Sequence, residues 1–454
     1  MSNSMINDMT EGNIPKHLVR FAMPFMLANL LQTVYTLTDL AIVGQFVGSD
    51  GLSAVSISGQ LTILFMSFGM GIGGGGQIYM SQIVGKKELH KINTVVGTTF
   101  TLKLTFSLIF LLVGTMACEP LLKLINTPAE AMDQAYDYMF ICCFGIPFLY
   151  VYNVFSANMR GMGDSKRPMY FIAVSAVSNV VLDLLFVAVF EWGSAGAALA
   201  TVISQVLCCI FALTYVYKRR EAFGFDFKLK SFKVDWVVLK NLLRLSLPLI
   251  MTTMCIQFSM SYIMSHINTY GIIAASVTGV GNKLYSVMSV VTQSIQSSTG
   301  TMVGQNMGAG KIDRAKKVVF SGWLINLSFF VVIALMALFL PRQIFSLFNR
   351  EAAVLDMAVE YMRISILQYL AFALMSPPMG FIMGTGFTTL NFAISFLDGV
   401  LGRIGISVLF GVTLGMGLQG FWWGSVAASF ISVILGSAYF FSGKWKKRHL
   451  TLIN

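Results

Sequence analysis

Two acidic residues stand in stretches otherwise apolar enough to cross a membrane: Asp39 in the first stretch and Asp183 in the fifth. A carboxylate inside a bilayer costs at least about 2.5 kcal/mol and normally faces a cavity or a partner. Counting residues to the outer end of each helix at a rise of about 1.5 Å places both acids roughly 8–10 Å inside the outer boundary. Thr201, early in the sixth stretch, lies at the same depth, and Asn179 precedes Asp183 by one helical turn on the same face. On the first helix Asn29, Gln32, Tyr35 or Thr36, and Asp39 form a polar stripe at helical spacing. Two carboxylates, an amide and a hydroxyl at one depth are what a proton or sodium site requires. Hard cations take oxygen ligands, and neighbouring buried carboxylates share protons readily. A lone acid often only braces a helix end, but a depth-matched pair favours ion coupling. Asp39, Asn179, Asp183 and Thr201 are therefore the candidate coupling set, and a metal site only if the ion is sodium.

The second half is different. Lys283 in helix 8 and Asp398 and Arg403 in helix 11 overlap in depth, so a Lys283–Asp398 or Arg403–Asp398 pair is expected, either structural or involved in substrate binding or gating. Lys103, Glu360 and Arg363 read as snorkelling or locally paired, and His266 as interfacial. Met251, Met254, Met260, Met264 and Met288 are interleaved with Gln257, Gln293 and Gln296, the mixture a promiscuous cavity uses, though any one Met serves equally well as lipid-facing filler. The expected substrate cavity comprises Gln32, Tyr35, Asn153, Met254, Gln257, Lys283, Gln293 and Asp398.

Other chemistry finds little support. Gly71-Ile-Gly73-Gly-Gly-Gly76 matches a dinucleotide fingerprint literally but lies inside an apolar helix, where small residues serve close helix packing. Gly308-Ala-Gly310-Lys311 lacks the Walker spacing, and no metalloprotease or nucleophile-elbow motif occurs. No enzyme activity and no cofactor are expected. Five of the six cysteines fall in apolar runs without disulfide or zinc spacing and read as small buried hydrophobes.

The elements that must position these residues follow from composition. The 454 residues are 56% hydrophobic and only 11% charged, with a mean hydropathy of +0.73. That is a membrane composition, with room for about twelve spans of some twenty residues each. Apolar runs give spans near 17–45, 52–83, 94–117, 133–158, 168–190 and 194–217, then 241–269, 273–303, 317–340, 355–383, 388–411 and 416–441. A polar stretch from Met1 to Pro15 precedes the first span without the pattern of a cleaved signal, so that span should be retained. The net charge of +11 is not a nucleic-acid signal: twenty-four Lys and Arg crowd one set of loops, against Lys123, Arg342 and Arg350 on the other. The bias predicts an even number of spans with both termini cytoplasmic, in a cell (inner or plasma) membrane.

Four landmarks then repeat at a shift of 223 or 224. Pro24 recurs as Pro248, Gln82-x-x-Gly85 as Gln305-x-x-Gly308, Gly161-x-Gly163 as Gly384-x-Gly386, and Gly193-x-x-Gly196 as Gly417-x-x-Gly420. The expected fold is an all-α polytopic membrane protein. Its twelve transmembrane helices form two six-helix lobes related by a pseudo-two-fold axis along the membrane normal. The lobes cover 1–217 and 241–441, with a cytoplasmic linker at 218–240 and a basic tail at 442–454. Alternating access between two such lobes is the natural use of the architecture.

The chain resembles the multidrug and toxic compound extrusion (MATE) transporters over nearly its whole length, on the bacterial DinF-like branch. The likeness rests on Pro24, Asp39 with Val43-Gly44, Gly85-Lys86-Lys87, Arg160-Gly161-x-Gly163-Asp164, Asn179-x-x-x-Asp183, Gly196-x-x-x-Ala200-Thr201 and Val303-Gly304-Gln305-Asn306-x-Gly308-Ala309. It implies a monomeric secondary antiporter in the lipid bilayer that exports amphiphilic, often cationic, drugs or metabolites in exchange for H⁺ or Na⁺. The coupling site it implies falls on Asp39, Asn179, Asp183 and Thr201. The acids that another branch carries in helices 7 and 10 are missing here apart from Glu360, which favours coupling in the N-terminal lobe. Lys283 argues against a purely cationic substrate range. A flippase for a lipid-linked precursor, from the same superfamily, is the alternative, and a membrane protein without transport activity a more distant one.

Overall fold

The computed structural model describes residues 5–125 and 127–447, so the end of the expected basic tail, 448–454, lies outside the described residues. The first half comprises α1 (Ile14–Phe46), α2 (Ser49–Gly85), α3 (Ile92–Met116), α4 (Ala129–Gly161), α5 (Lys166–Asp183, running on as a π turn over Leu184–Val189) and α6 (Gly193–Lys218). The second comprises α7 (Trp236–Asn268), α8 (Ile272–Gly308), α9 (Ile312–Phe339), α10 (Ala352–Gly384), α11 (Thr388–Thr413, alternating α and π turns) and α12 (Gly417–Ser442). Among the described residues there is no strand. Eleven of the twelve are long and apolar enough to cross a membrane. The exception is α8, which carries Asn282, Lys283, Gln293, Gln296 and many hydroxyls. At 37 residues it matches α2 exactly in length, as α7 matches α1 at 33.

The duplication is written into the backbone. Gly48 (φ +91°) and Gly271 (φ +99°) turn the chain into α2 and α8 in a conformation that a side chain would strain. Gly163 and Gly386, and Gly193 and Gly417, pair in the same way, all at the shift of 223 or 224 read from the sequence. The π turn at Leu184–Val189 has its counterpart at Leu409–Thr413.

By contact, the chain divides into two compact units at places other than the lobe boundaries expected from chain order. One holds Met1–Asp8 and Met23–Ile250, the other Met9–Ala22 and Met251–Asn454. Two of the three divisions fall beside Pro24 and Pro248, each inside a helix, where a missing backbone N–H loosens the turn and lets the two halves of one helix pack separately. In the C-terminal unit Met9, Leu18 and Phe21 pack with Met302, Val303, Phe381, Phe440 and Trp445. Met9 N–H also donates to Gln305 Oε1 (3.0 Å). In the N-terminal unit the start of α7 lies against the glycines of α2. A Cβ on Gly71 would come within 2.4 Å of Ile250, and one on Gly75 within 2.2 Å of Ser246. The Gly71–Gly76 run is thus a packing surface.

The expected linker is folded rather than free. Phe223 and Phe225 are buried, Thr101 donates to the Phe232 carbonyl (2.6 Å), and Thr98 accepts from Asp235 N–H (3.2 Å). The Ser231 carbonyl approaches α3 so closely at Gly97 that a Cβ there would lie 1.7 Å away.

Candidate functional site

The N-terminal unit gathers its acids between α1, α4, α5 and α6. Ile42 and Val43, one turn beyond Asp39, join a small core with Val55, Tyr138, Cys142, Val187, Ala197 and Ala198, and this core turns Asp39 inward. Asp183 is the last residue before the π turn, and π turns of this kind re-aim neighbouring side chains and cluster at functional sites. The small residues Gly196, Ala197, Ala198 and Ala200 bring α6 close, so that Thr201 reaches α5. A Cβ on Gly196 would sit 3.1 Å from the Phe186 carbonyl.

The result is a buried cluster. Asp39 is 5% exposed, Asn179 1% and Asp183 not at all, with Thr201 half-buried. Asn179 Nδ2 donates to Thr201 Oγ1 at 3.5 Å. Asp183 stands in the field of Asp39, and Tyr138 stands beside both, its hydroxyl hydrogen-bonding the Asp39 carboxylate. Asp39 Oδ1, both Asp183 oxygens and Asn179 Oδ1 are buried and receive no hydrogen bond from a protein donor. Buried oxygens are costly when unpaired. Unpaired oxygens on two neighbouring carboxylates, with an amide oxygen one turn along α5, suit a proton or a hard cation such as sodium. Among the described residues no group of three or more His, Cys, Asp or Glu offers a transition-metal site.

Tyr138 is the member that sequence reasoning missed. It lies about two and a half turns into α4, and an aromatic residue there reads as core. Its counterpart Tyr361, at the shift of 223, was the available signal.

The remaining cavity candidates are dispersed. Gln32 and Tyr35 are half-buried on α1, hydrogen-bonded to each other, and Tyr35 lies near Asp39. Asn153 Nδ2 is engaged by the Leu149 carbonyl (2.9 Å). In the C-terminal unit Met254 is half-buried, while Gln257, Lys283 and Gln293 are exposed. Asp398 is 6% exposed and accepts from Ser432 Oγ (2.7 Å) and Arg403 Nη2 (3.4 Å). Arg403, not Lys283, is the partner, so Asp398 is bound within its own unit. Lys103 corrects the snorkelling expectation: it is fully buried, and its Nζ, beside Gly73 at the α2–α3 contact, has no hydrogen-bond partner. Glu360 is locally paired, accepting from Gln419, and His266 stacks on Phe421.

Comparison with known proteins bears on the family and the fold. The MatE family model matches the chain twice, over residues 24–185 and 248–408, one match per half and again 223–224 residues apart. The chain is 30% identical over 439 residues to the probable multidrug resistance protein YoeA of Bacillus subtilis, covering 95% of this chain and 94% of that protein. It is 24% identical to a FAD transporter of Shewanella oneidensis over 76% of each. The structure of a MOP superfamily transporter from Pyrococcus furiosus superposes with a TM-score of 0.92 at 20% identity, over 99% of this chain and all of that one. Two matched halves and a relative of this identity over nearly the full length place the chain in the MatE family, as a multi-pass membrane protein of the MATE transporter fold.

Proposed function

We propose that this protein is a secondary active antiporter that exports amphiphilic, often cationic, drugs or metabolites in exchange for H⁺ or Na⁺. The observation that carries the reading is the Asp39–Asp183 pair, buried together in the membrane-spanning region with acceptor oxygens that no protein donor satisfies. Relatives named as multidrug resistance and multidrug export proteins support the substrate class. The coupling set is Asp39, Asn179, Asp183 and Thr201, with Tyr138 added. In exchange for an outward-moving substrate, a proton or sodium ion enters this cluster from outside and neutralises it. Neutralisation lets the outer part of α1 repack against Val55 and Tyr138. The movement bears on the course of α1 at Pro24, where one helix passes from one compact unit to the other. The protein acts as a monomer in the inner or plasma membrane with both termini in the cytoplasm, the side on which its basic loops accumulate. Within the N-terminal unit the proposed substrate contacts are Gln32, Tyr35 and Asn153.

The test is efflux of ethidium from proteoliposomes under an imposed proton gradient without sodium, then under a sodium gradient. Gradient-driven efflux that disappears in Asp183→Asn establishes the reading and names the ion. Efflux that persists in Asp183→Asn overturns the coupling site, and no efflux under either gradient overturns drug antiport itself.

A further inference from the structure

Where α6 runs out, the N-terminal unit has a groove of about 910 Å³, large enough for the ligands that sites of about 300–1,000 Å³ hold. Its walls are the ends of two membrane-spanning helices: Lys218 closes the span of α6, and Leu89 opens the span that runs through α3. Beyond Lys218 the chain folds back as a single helical turn, Arg220–Phe223, ended by Gly224 at φ +82°. Phe223, 1% exposed, anchors that turn in the unit. The fold-back leaves Lys218, Arg219 and Arg220, all exposed, around one opening, with Glu221 as the one acid in the lining. Among the described residues none of the three cations is in an ion pair. Arg219 lies over the Tyr215 ring (5.2 Å to its centroid) and Arg220 over the Tyr217 ring (5.3 Å), contacts that orient the guanidinium groups and leave their charge uncompensated. Arg167, on the same Tyr215 ring, is paired with Asp164 and lies outside the lining.

We propose that this groove binds an anionic phospholipid by its headgroup phosphate. Three consecutive cations against one carboxylate complement a phosphodiester, and the fixed N–H forks of Arg219 and Arg220 suit its two unesterified oxygens. Below the charges, Ile6, Leu89 and Phe223 supply apolar surface for the glycerol and the first part of an acyl chain. A soluble phosphate compound would use the same cations and have no use for that wall. The ends of spanning helices lie where headgroups lie, and basic pockets there attract anionic lipid. The second unit lacks the arrangement. At the shift relating Gly193 to Gly417, Lys218-Arg219-Arg220 corresponds to Ser442-Gly443-Lys444, so three cations become one. Glu221 corresponds to Trp445, an indole 1% exposed that donates to the Phe440 carbonyl (2.8 Å) and meets Phe381 edge-on (4.7 Å between rings). The proposal stands apart from the export reading, since it concerns the surrounding bilayer and its test involves no transport.

The experiment titrates the full-length protein, in an uncharged detergent, with dioctanoyl phosphatidylglycerol, dioctanoyl phosphatidylcholine and inorganic phosphate, and reads binding by microscale thermophoresis. The wild type should bind the phosphatidylglycerol saturably and more tightly than the phosphatidylcholine, which has the same tails and no net charge. Arg219→Gln/Arg220→Gln should weaken phosphatidylglycerol about tenfold or more and leave phosphatidylcholine where it was. Leu89→Glu, which puts a carboxylate into the apolar wall, should weaken phosphatidylglycerol by a similar factor. Lys444→Gln/Lys446→Gln removes the same charge from the exposed end of α12 and should change nothing. All variants are checked by size-exclusion elution and thermal unfolding. Either groove variant alone carries the test if the other does not fold, and the wild-type preference between the two lipids decides if neither does. The proposal is overturned by wild-type protein that does not prefer phosphatidylglycerol, by unchanged binding in every folded groove variant, or by an equal loss in the α12 variant, which would mean diffuse attraction. Inorganic phosphate that binds as tightly as the lipid overturns it too, and assigns the cations to a soluble phosphate instead.

Discussion

The two halves of this protein were built from one plan, and their equivalent centres now differ in charge. In the first unit the outer part of the helices holds Asp39, Asp183, Asn179 and Tyr138, with four buried oxygens unpaired. In the second the positions equivalent by the repeat are Ile263, Ser407, Tyr361 and Ser425, none of them charged. The second unit does have a buried acid, but Asp398 is one of a set that satisfies itself, through Ser432 and Arg403. An acid held by a cation and a hydroxyl is architecture, whereas two neighbouring acids with three of their four oxygens unpaired are placed to take up charge. The hydroxyl-bearing positions are shared by both units, and the two carboxylates are not.

The largest effect should come from removing that charge. Asp39→Asn and Asp183→Asn should each reduce gradient-driven ethidium efflux to the liposome background, a loss of at least about tenfold, with elution profile and unfolding temperature preserved. The double variant should be no worse than either single one, because residues that act as a unit fail together. Additive losses would mean the two acids work separately, and the comparison between the units would lose its basis.

The second test asks whether the other unit's acid is structural. Asp398→Ala leaves the Arg403 guanidinium buried without a counter-charge, which costs about 3–5 kcal/mol of stability. Thermal unfolding should fall sharply while the protein that remains folded keeps its ion dependence of efflux. A changed ion dependence without loss of stability would move Asp398 into the coupling machinery.

How much of this was legible beforehand differs between the axial and the lateral direction. Span positions, the repeat and the depth of Asp39, Asn179, Asp183 and Thr201 follow from counting along helices, because rise per residue is constant. Which faces meet is another matter. Tyr138 had the right depth but an aromatic side chain that reads as core. Lys103 read as snorkelling because nothing in its neighbours said that α3 would turn it against Gly73. For Asp398 depth admitted both Lys283 and Arg403, and packing chose the one five residues along its own helix. The division of the chain into units was hidden for a related reason. Pro24 and Pro248 were recognised as repeat landmarks, but the sequence does not say that the helix segments on either side of each proline pack into different units.

A third pair of variants sharpens the comparison at the tyrosines. Tyr138→Phe removes the hydroxyl that supports the Asp39 carboxylate, and one hydrogen bond to a charged group is worth about 1.5–3 kcal/mol. The ion concentration giving half-maximal efflux should therefore shift by about tenfold or more. Tyr361→Phe removes the equivalent hydroxyl, which bonds Ser365 rather than a carboxylate, and should leave the ion dependence of efflux where it was. Equal shifts in the two variants would show that the second unit also senses the ion.

The smallest effect is expected at Thr201 and Ser425, and it is the most discriminating. Thr201 meets the coupling cluster only through a long contact with Asn179, 3.5 Å between heavy atoms, so it contributes at the weak end of a neutral hydrogen bond. Thr201→Ala should shift half-maximal efflux about threefold if sodium is the ion, since the hydroxyl oxygen then leaves the coordination set. It should shift hardly at all if a proton is carried, since the carboxylates alone can hold it. Thr201→Ser, which keeps the oxygen, should restore the wild-type value in the sodium case. Ser425→Ala, at the equivalent place in the neutral unit, should be silent toward either ion. Because the prediction for Thr201 depends on which ion binds while that for Ser425 does not, efflux measured for these variants in proton and sodium gradients distinguishes the ion and tests the asymmetry of the two units in one experiment.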